Sequence, residues 1–237
     1  MWSMPWSREK RFVVPASPDG EFGRHSSTTS GTSMTIPIMT IRFPDWVEPF
    51  LASSPRTFPT PLERMGFVIQ LSRLNVCHGS GGPFGAAVFG RDGMLIAPGI
   101  NLVASSNCSL LHAEMVALAC AQQALGRFDI GDGGRVACDL YASTEPCAMC
   151  FGAIPWSGVS GLVCGARDRD ARAVGFDEGP KLSDWVGALG RRGISVERDL
   201  LRHEACSVLR EYATKGGVIY NSGPTAARRN RVSKEQT

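Results

Sequence analysis

The sequence predicts an α/β protein built around a layered sheet, and three observations carry that prediction. Along residues 58–222, short apolar runs of strand length alternate with longer segments whose apolar residues recur at helical spacing. Glycine and proline mark the junctions between these segments. No internal repeat is visible in the chain.

The elements follow in order. Pro61, followed by Met65, Val68, Ile69 and Leu74, sets apolar side chains at helical spacing, and this helix is expected to end near His78-Gly79. Segments 86–89 and 94–100 flank Gly90-Arg91-Asp92-Gly93 and read as a hairpin. Leu111, Met115, Leu118 and Leu125 share one face at the 3.6-residue period, which predicts a helix from about 111 to 125. A buried strand is expected over 136–142, a short helix over 147–155 and the next strand over 159–164. A helical turn over 168–174, a short strand over 194–196 and a C-terminal helix over 200–214 complete the pattern.

At 237 residues the chain is long enough to bury one sizeable core. Residues 1–57 are expected to form a disordered extension, because the run Ser26–Ser33 is polar and aperiodic and six prolines punctuate the stretch from Pro37 to Pro61. Residues 58–222 are the expected folded domain, and 223–237 a flexible tail. The tail carries four basic groups against one acid, whereas 58–222 holds 15 basic against 16 acidic residues. A near-neutral body lacks the footprint of a dedicated nucleic-acid binder, so no nucleic-acid partner is expected. No run approaches the roughly 18 apolar residues of a membrane span, so no membrane partner is expected either. Eight cysteines without an apolar leader point to reduced thiols and a cytoplasmic location.

The chemistry concentrates in His112-Ala113-Glu114 and Pro146-Cys147-Ala148-Met149-Cys150. Each half is weak alone, but both sit where a strand or loop enters a helix. Cys147 and Cys150, three apart at a helix start, share a face and reach one ion together. The positive end of that helix favours thiolates, and Pro146 suits its entrance. His112 completes three metal donors, and two thiolates with one imidazole favour Zn2+. Glu114 is then a spare carboxylate, which a catalytic site uses as a proton carrier and a structural site does not need. The competing reading is a closed structural site, in which the zinc only stabilises a binding module. Its fourth ligand would come from Cys108, Cys120, Cys138 or Cys164, with Cys120 two turns past His112.

His-x-Glu with Pro-Cys-x-x-Cys is the signature of zinc-dependent base deaminases. From Gly81-Gly82-Pro83-Phe84-Gly85-Ala86-Ala87-Val88 to Gly165 the chain resembles the cytidine-deaminase-like superfamily, over roughly residues 60–221 in all. Thr144-Glu145-Pro146-Cys147-Ala148-Met149-Cys150-Phe151-Gly152-Ala153 resembles the branch holding guanine deaminases and tRNA adenosine deaminases. The resemblance implies a three-layer αβα sandwich with a central mixed sheet of about five strands. It also implies a Zn2+ cofactor, a homodimer and hydrolytic deamination of a small purine base or related amine.

Trp156 and the segment Val174-Gly175-Phe176-Asp177-Glu178 are similar to bacterial guanine deaminases, which makes guanine the expected substrate. By the same resemblance Glu178 is a second acid assisting ammonia loss, while Asn101, Ala113, Phe84, Trp156 and Tyr220 contact the base. The bland alternatives stay open: a polar turn for Glu178, a strand-end turn for Asn101, and core or dimer packing for Phe84 and Trp156. Ammeline, a nucleoside or tRNA adenosine are the alternative substrates.

Overall fold

The computed structural model describes residues 38–221. The disorder expected of residues 1–37 and the flexibility expected of the tail lie outside the described residues. The elements are α1 (Val47–Ser53), α2 (Pro61–Cys77), β1 (Gly85–Gly90), β2 (Leu95–Ile100), α3 (Val103–Ser106), α4 (Ala113–Leu125) and β3 (Cys138–Thr144). Then come α5 (Ala148–Ser157), β4 (Gly161–Ala166), α6 (Asp168–Ala173), α7 (Trp185–Gly190), β5 (Ser195–Glu197) and α8 (Arg202–Thr214).

The strands form one mixed sheet in the order β2-β1-β3-β4-β5. β1 pairs antiparallel with β2 and β3, whereas β3 with β4 and β4 with β5 are parallel. Strand alternation divides the core in two. Phe89, Tyr141 and Val163 face α2 and α8, where Met65, Val68, Val208 and Leu209 are buried. Val88, Leu140 and Leu162 face the other layer, with Leu118 of α4, Ile154 of α5 and Leu189 of α7. The three-layer αβα sandwich on five strands implied by the resemblance is the observed architecture. Among the described residues no helix is long and apolar enough to cross a membrane.

The sequence reading of 1–57 as a disordered extension needs correcting beyond residue 40. Val47 in α1 is 1% exposed, and Trp46, Phe50 and Leu51 pack on the α2 side of the core. Phe50 stacks on Phe67 at 5.6 Å between ring centroids. The prolines misled because Pro49 lies in the first turn of α1, where a missing N–H forfeits no intrahelical bond. α5 likewise runs past the expected stop at Pro155 and ends at Gly158, whose φ of 82° supplies the left-handed cap. β3 and β4 each begin two residues later than expected, a paired shift because Asp139 and Gly161 are register partners.

α4 lies directly on β2, and a side chain at Gly99 would collide with the carbonyl of Ala113 and the amide of Ala117. Gly99→Ala should therefore cost about 1–3 kcal/mol as an overpacked contact. It should also lower zinc occupancy, because α4 begins one residue after His112. Thermal unfolding together with metal analysis checks this; full stability would show that α4 yields freely.

Candidate active site

Two helix N-termini converge on one point beyond the sheet. His112 is the N-cap of α4, with extended backbone at φ −66° and ψ 156°. Cys147 is the N-cap of α5 at φ −66° and ψ 175°, which sets Cys150 one turn inside the same helix. The Sγ atoms of Cys147 and Cys150 lie 3.5 Å and 3.7 Å from His112 Nδ1. A tetrahedral zinc with the usual S and N bond lengths needs an S-to-N edge of about 3.6 Å, so the triad fits that ion. Among the described residues, no other His, Cys, Asp or Glu joins this group. Cys108, Cys120, Cys138 and Cys164 are free thiols, and the structural-zinc alternative loses its fourth ligand.

The local electrostatics suit a metal. A hydrogen bond from Cys150, opposed by burial, holds the Cys147 thiol down to about 4. Burial works against a charged His112, yet its contact with Cys147 and the nearby Glu114 carboxylate raise its pKa overall. Glu114, in the first turn of α4 and 8% exposed, is pushed up to about 7, chiefly by burial and then by the charge on Cys147. Glu178 is 6% exposed and pushed up to about 8 by burial, with Cys147 and Glu114 adding repulsion. Burial therefore holds both carboxyls above the ordinary carboxylate range.

Glu178 arrives here by backbone docking. Its carbonyl accepts the first free amide of α5, from Ala148, at 2.9 Å. Asn221 then clamps the same loop: its Oδ1 accepts from Asp177 N at 2.9 Å and its Nδ2 donates to Gly175 O at 2.9 Å. Around these groups lies a cavity of about 310 Å³ lined by Phe84, His112, Glu114, Phe176, Glu178 and Tyr220, among others. Its apolar wall is continuous: Phe84 meets Phe176 edge-on at 4.8 Å, and Phe176 meets Tyr220 at 5.2 Å.

Among the described residues three buried donors have no protein partner, and two of them, the Tyr220 hydroxyl and Asn101 Nδ2, belong to residues expected to contact the base. Asn101 is fully buried at the end of β2, and its backbone N–H donates to Phe84 O at 3.1 Å. Buried polar groups left unpaired in this way are the places where a ligand completes the bonding. Ala113, 1% exposed, is the first residue of α4, so its N–H is free of intrahelical bonds.

Trp156 departs from the sequence expectation. It is 77% exposed and does not line the cavity. Six residues past Cys150 on a helix, it is rotated about 120° from the ligand face.

Sequence reasoning missed the support beneath the metal loop. Glu145, 3% exposed, accepts from Asp168 N at 3.0 Å and from Arg198 Nε at 2.6 Å. Lys181 donates to Pro146 O at 2.8 Å and pairs with Asp168 at 3.3 Å, its ammonium 4.8 Å from the Trp185 ring centroid. The one sequence signal was a charged residue, Glu145, at the entrance to the Pro146-Cys147 segment.

Residues 63–166 match the family described as the cytidine and deoxycytidylate deaminase zinc-binding region. A guanine deaminase of Bacillus subtilis (strain 168) is 43% identical over 110 residues, covering 46% of this chain and 67% of that protein. A solved guanine deaminase from Nitrosomonas europaea is 46% identical with a TM-score of 0.71, covering 77% of this chain and 100% of that one. A further solved structure, a mutant in complex with 8-azaguanine, is 47% identical with a TM-score of 0.71 and covers 75% of this chain and 98% of that one.

Proposed function

From the premise that the chain belongs to the zinc-dependent deaminases of the cytidine and deoxycytidylate deaminase family, we propose that it hydrolyses guanine to xanthine and ammonia. The observation that carries this reading is the triad of His112, Cys147 and Cys150 beside two buried carboxyls in one small cavity with an aromatic wall. A cavity near 300 Å³ suits a free base and is at the low end for ligand sites. The relatives named guanine deaminase, and the one bound to 8-azaguanine, support a purine over ammeline or a nucleoside. A near-neutral body argues against tRNA, whose phosphates need several cations.

Held by His112, Cys147 and Cys150, zinc supplies Lewis acidity that makes water a nucleophile near neutral pH. Glu114 takes a proton from the attacking water and delivers it to the ring nitrogen beside C2. Glu178 donates a proton to the exocyclic amine as the C2–N bond breaks, so that ammonia rather than amide leaves, while Glu114 takes up the proton of the added hydroxyl and C2 keeps that oxygen as a carbonyl. Burial keeps both carboxyls protonatable, which lets them divide this work. Phe84 and Phe176 exclude water from the faces of the base. Asn101 Nδ2 and the Tyr220 hydroxyl are donors for its ring edge, and the Ala113 backbone offers another contact.

Ammonia release from zinc-quantified protein tests the proposal against guanine, guanosine, adenine, cytosine and ammeline. Preference for guanine is expected, and preference for any other amine overturns the substrate. Glu178→Gln should lower kcat about 10²-fold with KM changed little, as loss of one proton donor does. An unchanged kcat would remove Glu178 from the chemistry.

The proposal extends to a homodimer, with Trp156 and Phe128, 77% and 83% exposed, as surface aromatics available to a second copy. Light scattering decides that point. We also take the catalytic domain to run from Ile41 to Asn221, and eight free cysteines accord with a cytoplasmic location.

A further inference from the structure

The purine end of the cavity hangs on one buried amide that is not one of the metal-binding side chains. Asn75, in the last turn of α2, is fully buried. Its Nδ2 donates to Gly82 O and to Asn101 O, both at 2.9 Å, and its Oδ1 accepts from Ser80 Oγ at 2.8 Å. Every polar valence of this side chain is therefore committed but one acceptor site.

Those two carbonyls control the pocket. Gly82 O also accepts Phe84 N at 2.9 Å, a tight three-residue turn around Pro83 that delivers the Phe84 ring to the cavity. A side chain at Gly82 would collide with the Tyr220 ring, and one at Gly81 with Asn101 O. The Asn101 backbone is thus fixed on both sides, by Asn75 at its carbonyl and by Phe84 at its N–H. Phe84, Asn101 and the seat of Tyr220 share a single support.

That support reaches outward beyond the family-matched residues. Trp46 Nε1 donates to Ser80 Oγ at 3.0 Å, and its ring stacks on His78 at 5.4 Å and an interplanar angle of 7°. The Ser80 hydroxyl, fixed as an acceptor by the indole, is oriented to donate to Asn75.

We propose that Asn75 is a positioning residue for the purine, and that Trp46 orients it through Ser80, so that the segment bearing α1 is a working part of the substrate site. This rests on the reading of Phe84 and Asn101 as base contacts. No member of the relay is one of the metal-binding side chains His112, Cys147 and Cys150, and uniform loss of base binding appears in KM rather than kcat.

The test is Asn75→Asp, which keeps the shape and the acceptor but leaves at most one O–H in place of two N–H donors, so that the Gly82 and Asn101 carbonyls cannot both be held. In the full-length zinc protein KM for guanine should rise about tenfold or more, with kcat within about threefold and zinc content unchanged, since small displacements of orienting groups have large effects. Trp46→Phe keeps the stack on His78 and deletes the relay donor, and should raise KM by a smaller factor. In the chain of bonds proposed, Trp46→Phe combined with Ser80→Ala changes KM no more than Ser80→Ala alone, whereas independent packing effects would add. An unchanged KM in Asn75→Asp, or a loss confined to kcat, overturns the proposal. Amide exchange on substrate-free protein separates this from the guanine assignment. Residues 79–84 and 101–103 should exchange faster in Asn75→Asp and in Trp46→Phe while 138–144 do not. Wild type inactive on guanine sinks the substrate, and unchanged exchange in both variants sinks the relay.

Discussion

Glu114→Gln should lower guanine turnover by about three orders of magnitude, while zinc remains at one per chain. The substitution preserves size and one carbonyl oxygen, and replaces the titratable oxygen with an amide NH2 that cannot carry a proton. Metal content holds because the ligand set of His112, Cys147 and Cys150 does not include Glu114. Stability should hold or improve, because Glu114 is 8% exposed and an ionised carboxylate there is disfavoured by burial. Ammonia release, metal analysis and a thermal scan on one preparation decide the matter. Activity within tenfold of the parent would remove Glu114 from proton transfer. Loss of zinc would instead make it a ligand and break the argument from the spare carboxylate.

Cys150→Ala should abolish measurable activity and zinc binding together. Cys150 is fully buried one turn inside α5, and the remaining pair of His112 and Cys147 leaves two donors for an ion that needs at least three from the protein in a catalytic site. Metal bound only by the folded state stabilises it by mass action, about 4 kcal/mol when free zinc is a thousandfold above Kd. For a domain of this size that corresponds to a fall of roughly 10 °C in Tm. Parent protein stripped by a chelator should match the variant and recover when zinc is restored; the variant should not recover. Stoichiometric zinc in Cys150→Ala would show that a different ligand set holds the metal.

The metal half of the site was legible because helix geometry enforces it locally. Two cysteines three apart at a helix start can only face one way, and a histidine two residues before an acid supplies a ligand and a free carboxylate. The base half was legible only in part. Phe84, Glu178 and Tyr220 line the cavity, each delivered by a loop whose path is set by distant contacts, whereas Asn101 at the end of β2 and Ala113 at the start of α4 are not among its lining residues. Phe176 and Asn75 carried no signal of their own, since an aromatic in a loop and an amide in a helix have many uses. Trp156 followed a resemblance of position, and the rotation of α5 took it to the surface.

By itself the sequence determined the α/β alternation, the grouping of Cys147 with Cys150 and the placing of Glu114 beside His112, because these depend on spacing within single elements. Only the tertiary structure decided that α1 belongs to the folded unit, that Glu178 docks on the free amide of α5, and that Asn75 joins Gly82 to Asn101. Those features are packing contacts and hydrogen bonds between separate elements and loops, at separations that no helical or strand period fixes. Their partners are chosen by how the layers pack, and no local pattern records that choice.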